Sequence, residues 1–322
     1  MHFTSFSLNT RSANDTKDEV VMNSHGQTVM KGDSLSASSS AESDTIWHFT
    51  GPDTLYEILK PKGGLLASHA GFLNDPSDLE LSRRALRLIG KHFDQTMPSL
   101  HAQHPSWGQS LKQETNRGLV FPGFVCCFCN TIHNPLMWRA YTPDGGFAIG
   151  FKRECLVSAI KADKRFDFDY GLCDYDAWDS VAAEIDELDK SLAEDRRSPT
   201  YPLLIADHKR EYELFAKIQQ LSRKAARVKN EFFRDEKEFR LVFFHRHFPR
   251  LSDCFVLAGI PRISIPLKPG TSWASMVDKI VVSPLGNTKR NLAMARFVLQ
   301  MAGIEMHRVE PSEDPIRSPQ TF

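Results

Sequence analysis

Residues 230–247 read NEFFRDEKEFRLVFFHRH. From Glu236 the residues alternate with the period of a β-strand. Phe239, Leu241 and Phe243 fall on one side; Glu236, Glu238, Arg240 and Val242 fall on the other. A row of Glu, Glu and Arg suits a solvated sheet face, so the plain reading is an outer strand with surface charges. The next residues, Val242, Phe243 and Phe244, are apolar on both sides, as in a strand entering a covered core. A carboxylate on such a strand is either paired, with Arg240 the nearest partner in sequence, or held ready for chemistry.

The chain has 322 residues, 25% charged and 41% hydrophobic, with a formal net charge of zero. That suits one large soluble domain or two small ones. The neutral balance gives no global attraction to nucleic acid or to a membrane surface. No apolar run approaches the ~20 residues of a membrane span. The N-terminus lacks the basic-then-apolar pattern of a secretory signal. Six cysteines, three of them crowded at Cys126, Cys127 and Cys129, form no framework of spaced pairs. A reducing, cytoplasmic compartment is the expectation.

Residues 1–44 are rich in Ser, Thr, Asn and Asp and read as a disordered tail. Such a tail is either a dispensable extension or a non-cleaved export signal of the kind that injected bacterial effectors carry. A single α+β domain is expected over 45–311, followed by a flexible tail over 312–322. Strands are expected at 45–50, 124–129, 147–151, 238–244, 262–267 and 279–283. Helices interrupt them irregularly, at about 77–93, 175–195, 203–229 and 288–302. Without a βαβ rhythm, the strands should form two short packed β-sheets with helices around them. The helix at 175–195 has a heavily acidic face, and the segment 209–229 is basic. The basic segment either binds phosphate groups or pairs with the acidic helix, and pairing is the favoured reading.

Candidate functional residues are sparse. On the first strand, Ile46, His48 and Thr50 share one face and Trp47 and Phe49 the other. A lone strand histidine is usually structural, but the end of a strand ahead of a helix is also a ligand-facing edge. Asn74, Asp75 and Pro76 form a turn able to cap the following helix. Cys126, Cys127 and Cys129 straddle both faces of their strand, cannot all reach one metal, and read as small hydrophobes. His101 with His104, and His245 with His247, lack a nominated third ligand, so no metal is expected. Ala148 and Gly150 give the strand at 147–151 a small face that a ligand or another backbone could approach. Neither GxxxxGK[ST] nor GxGxxG occurs in the chain.

Taken in order, several segments resemble DUF2971, a bacterial family of unknown function. They are Trp47-His-Phe-Thr50, Phe72-Leu-Asn-Asp-Pro76, Val125-Cys-Cys-Phe128, Leu136-Met-Trp-Arg-Ala-Tyr141, Gly146-Phe-Ala-Ile-Gly-Phe151, Glu236-Lys-Glu-Phe-Arg-Leu241 and Ile280-Val-Val-Ser-Pro284. The resemblance covers about 45–311. It departs at Cys129, where the family usually has Ser, and at Phe233, where it usually has Trp. The order of parts is also similar to ADP-ribosyltransferases of the His-Tyr-Glu type. This second resemblance implies NAD as cofactor, bound by His48, Thr50, Asn74, Tyr141 and Arg240, with Glu238 and Glu236 as catalytic residues. Cleavage of the nicotinamide–ribose bond develops oxocarbenium charge, which a fixed carboxylate stabilises. It further implies that His48 and Glu238 face one cleft with Tyr141 beside them, that the acceptor is a protein or a nucleic acid, and that the role is that of a toxin, effector or defence protein. The rival expectation is a non-catalytic regulatory or partner-binding module of a defence or mobile-element system. In that case Glu238 and Arg240 form a structural ion pair.

Overall fold

The computed structural model describes residues 21–22, 28–29, 44–73, 79–92, 123–160, 166–197, 208–245 and 254–314. The chain divides into two units, Met1–Glu42 and Ser43–Phe322. In the first unit, β1 (Val21–Met22) pairs antiparallel with β2 (Thr28–Val29). The rest of the expected Ser-rich tail lies outside the described residues, as do His101, His104, His247 and the turn at Asn74.

Among the described residues, the second unit carries ten strands. They are β3 (Thr45–Thr50), β4 (Leu66–His69), β5 (Gly123–Cys129), β6 (Phe147–Lys152), β7 (Phe166–Leu172), β8 (Glu238–His245), β9 (Phe255–Leu257), β10 (Ile260–Ser264), β11 (Val277–Val282) and β12 (Val309–Pro311). Its helices are α1 (Pro52–Leu59), α2 (Glu80–His92), α3 (Pro135–Tyr141), α4 (Arg153–Ala159), α5 (Trp178–Arg197), α6 (His208–Ala225), α7 (Trp273–Met276) and α8 (Thr288–Met301). The mixed α+β architecture expected from the sequence is present.

The hub of the sheet is β5. Along one edge it pairs with β8 over its whole length, from Gly123 opposite Phe244 to Cys129 opposite Glu238. Its other edge is shared. β4 takes Phe124 and Val125, and β3 takes Cys129. From that shared edge the sheet forks into β3–β6–β11–β12 and β4–β10–β9, while β7 flanks β8 on the far side. The two separate packed sheets expected from the sequence are not formed: the strands join in one hydrogen-bonded sheet with two arms, because β5 pairs along both of its edges. A strand apolar on both faces, such as FVCCF, is suited to be a hub because it loses nothing by being enclosed.

Residues opposite one another across a ladder point the same way, so the register defines two faces. On the first lie Ile46 with Phe151, Phe128 with Phe239, and Phe124 with Phe243. These join Leu55, Ile58 and Leu59 of α1 and Ala295, Val298 and Leu299 of α8 in the largest apolar cluster. Pro52 at the start of α1 has the dihedral a first helical turn needs. On the second face, Val125, Val242 and Phe244 meet Leu81 and Ala85 of α2, Val181 and Ile185 of α5, and Ile218 and Leu221 of α6. Farther along that face, Trp47, Phe49, Cys129 and Ala148 pack against Trp138 of α3. Each large side chain withdrawn from water in these clusters contributes ~1.5–3 kcal/mol.

The acidic face of α5 is matched at three positions. Asp186 meets Arg84 and Asp189 meets Lys91 of α2, while Glu184 meets Lys224 of α6. Arg223 and Arg227 reach Asp167 and Asp169 of β7. Of the pairing expected between the basic segment and the acidic helix, these bridges include Lys224 with Glu184, whereas Arg223 and Arg227 turn to β7 instead. Among the described residues, no helix is long and apolar enough to cross a membrane.

Candidate functional site

Glu238, the first residue of β8, is buried, and both of its carboxylate oxygens are engaged. Oε1 accepts from Arg240 Nε at 2.7 Å. Oε2 accepts from Arg240 Nη2 at 3.0 Å and from Lys229 Nζ at 2.7 Å. The guanidinium of Arg240 is fully enclosed and also donates through Nη1 to the Ala226 carbonyl at 3.2 Å. Lys229 lies just beyond α6, with its ammonium buried. It bridges to Glu236 Oε2 at 2.6 Å and sits 4.8 Å from the centroid of the Phe233 ring. The backbone of Glu238 is fixed as well. Its N–H donates to the Tyr175 hydroxyl at 2.8 Å, and its carbonyl accepts from the Cys173 N–H at 2.8 Å.

The electrostatics follow from this enclosure. Burial alone would raise the Glu238 carboxyl, but Arg240, then Lys229 and a hydrogen bond from Cys127, outweigh it and hold the group at about 2. The Tyr141 phenol is pushed up to about 12, first by partial burial and then by the negative charge of Glu236 and Glu238 close by. Burial also raises the Tyr175 phenol well above its ordinary value. Tyr141, Glu236, Glu238, Arg240 and Lys229 thus form one neighbourhood at the end of the second sheet face.

Two elements frame it. The helix α3 begins with Asn134 capping the Met137 N–H at 3.3 Å and ends at Tyr141. The 3-10 segment Glu231–Glu236 is capped by Asn230, which accepts from Phe232 N–H at 3.0 Å. Asn134 Nδ2 donates to the Asp235 carbonyl at 2.7 Å and so joins the two. Each carries an exposed aromatic: Phe232 is 87% exposed and Tyr141 47%.

His48 does not belong to this neighbourhood. Trp47 pairs with Cys129, which pairs with Glu238, so Trp47 and Glu238 share a face and His48 points to the opposite one. There its ring lies 5.6 Å from the Phe128 ring, and its Nδ1 donates to the Cys127 carbonyl at 3.2 Å. Burial lowers its pKa, against that hydrogen bond, and keeps the ring neutral. The expected shared cleft of His48 and Glu238 is therefore not formed, because the sheet between them is covered on both sides. Thr50 is buried on the His48 face opposite Phe147. Asn74 lies outside the described residues. The small face of β6 is not open either. Trp47 lies over Gly150, and Phe49 is opposite Ala148.

Sequence reasoning singled out Arg240 but missed Lys229, Tyr175 and Cys127. One signal was available: two carboxylates leading into a covered strand need more than one cation, and Arg240 is one. Cys126, Cys127 and Cys129 form no disulfide and are split between the two faces, and burial pushes Cys126 up to about 12. Among the described residues, no group of three His, Cys, Asp or Glu could hold a metal ion.

No curated protein and no solved structure matches the chain. Residues 137–241 match the model of a protein family of unknown function, DUF2971. That segment runs from within α3 into β8 and contains Tyr141, Lys229, Glu236, Glu238 and Arg240, but neither His48 nor Asn74. The resemblance to DUF2971 expected from the sequence is thus supported over residues 137–241, about a third of the chain.

Proposed function

We propose that this chain is a non-catalytic partner-binding module, in which Glu238 holds the fold together and the rim of Tyr141 and Phe232 meets the partner. The observation that carries this reading is the saturation of Glu238: both oxygens are taken by Arg240 and Lys229. A carboxylate neutralised by two cations has little charge left to stabilise a developing oxocarbenium. Removing one member of a buried ion pair strands its partners and costs about 3–5 kcal/mol. Exposed aromatics on a capped helix and its neighbouring turn have the character of interface anchors, which cluster in few residues and favour Tyr, Trp and Arg.

The test combines two measurements. Calorimetry of the wild type against NAD should show no binding. Phe232→Ala should leave the melting temperature unchanged while removing the protein that co-purifies with the tagged wild type from its native cell. The reading is overturned if the wild type transfers label from NAD to an acceptor and a folded Glu238→Gln variant does not.

One observation favours a second reading, NAD-dependent ADP-ribosyl transfer to a protein or nucleic-acid acceptor. Tyr141, Glu236 and an ionised Glu238 gather on one side of the sheet. Two of the expected cofactor contacts, His48 and Arg240, weigh against this reading. His48 faces the other way, and the Arg240 guanidinium is enclosed by Glu238 and Ala226.

A further inference from the structure

After β12 the chain does not leave the surface. The Ser312 N–H donates to the Val282 carbonyl at 3.0 Å, and Ser312 Oγ accepts from the Asp314 N–H at 3.1 Å. The Asp314 side chain is only 11% exposed. Its Oδ2 accepts from Trp138 Nε1 at 3.0 Å, and its Oδ1 lies 2.9 Å from His133 Nδ1. Asp314, expected in a loose tail, therefore grips α3, and Ser312 ties it to β11. Trp138 is the fully buried anchor of that helix, edge-on to Phe49 at 4.7 Å. Three residues further on, the same helix ends at Tyr141.

A charge-assisted bond to a buried indole is a strong and directional tie. The indole has one donor and no other way to satisfy it inside the apolar cluster. We propose that Ser312–Asp314 is a latch on α3, and that Asp314 is a positioning residue which, by holding Trp138, sets where the last turn of that helix places Tyr141. This rests on Tyr141 being part of the rim assigned above, but the latch is testable without any partner.

The readout is nitration by tetranitromethane at pH 8, mapped by mass spectrometry. The reagent attacks phenolate, so the raised Tyr141 phenol should react slowly in the wild type. Tyr170, 45% exposed, serves as the internal reference against Tyr141 at 47%. Asp314→Ala should speed nitration at Tyr141 severalfold, because loosening α3 opens the partly buried phenol to water and reagent, with Tyr170 unchanged. Asp314→Asn keeps an acceptor for the indole and should restore the wild-type rate. Equal rates at Tyr141 in wild type and Asp314→Ala, or a parallel rise at Tyr170 and Tyr175, would overturn the latch. If Asp314→Ala does not fold, Trp138→Phe carries the test. It removes the donor and keeps a ring, and a wild-type rate at Tyr141 in that variant refutes the proposal.

Discussion

The carboxyl group of Glu238 is held at about 2, against an ordinary 4.5, although burial opposes this. Its folded pKa is depressed, so the stabilisation is fully present above about 4.5 and is lost as pH falls through about 2. The difference corresponds to roughly 3 kcal/mol. Urea titrations at stepwise pH should show this loss in the wild type and not in Glu238→Gln, which should already be weaker at pH 7. Parallel acid limbs in the two proteins would show that the network does not stabilise the fold. His48 gives the complementary case. Its folded pKa is also lowered, here by burial, from 6.5. The unfolded chain therefore binds the proton more readily, and stability falls as pH drops below about 6.5. His48→Phe should flatten that part of the profile, which the same urea series would reveal.

At the scale of elements, most strands were legible because alternation and turn residues mark them without reference to what lies outside. β3, β5, β6, β8 and β11 fall within a few residues of their expected positions. The sidedness of β3 was not legible. Assigning His48 to an open cleft assumes that a polar residue marks the wet face. Here Ile46 enters one core cluster and Trp47 and Phe49 enter another, so both faces are dry and alternation carries no sign. Only the pairing of Trp47 with Cys129 fixes it, and that is a contact between residues far apart in sequence. Lys229 was hidden for the same reason, since the carboxylates it serves lie on a different element. The packing of β3 on β6 yields its own prediction. A Cβ at Gly150 would lie 2.8 Å from Thr45 Cγ2 and 2.9 Å from Trp47 Cζ3. Gly150→Ala should therefore destabilise by ~1–3 kcal/mol through overpacking, read as a lower urea midpoint at unchanged slope. A neutral result would mean that the Trp47 ring is free to move aside.

At the scale of the whole sheet, the forked topology sets an order in which parts open. β5 is bonded on both edges, to β8 on one and to β3 and β4 on the other, and its side chains enter clusters on both faces. Exposing its amides means severing both arms and parting the covering helices, which amounts to unfolding the unit. β9 is the opposite case. It ends one arm, pairs with β10, and exposes all three of its side chains. Opening it breaks a short hairpin and uncovers little apolar area. Amides in β5 and β8 should therefore exchange with deuterium only through global opening, with a denaturant dependence equal to the equilibrium m-value. Amides in β9 should exchange orders of magnitude sooner, with almost no denaturant dependence, because their opening exposes almost no new surface. The β11–β12 end should fall between, since Ser312 and Asp314 extend its attachment past the last strand. Peptide-resolved exchange at several sub-denaturing urea concentrations measures all three. If β5 exchanged as early as β9, the two arms would be opening independently of the hub. The Glu238 network, which closes the ladder at Cys129, would then not be what holds them together.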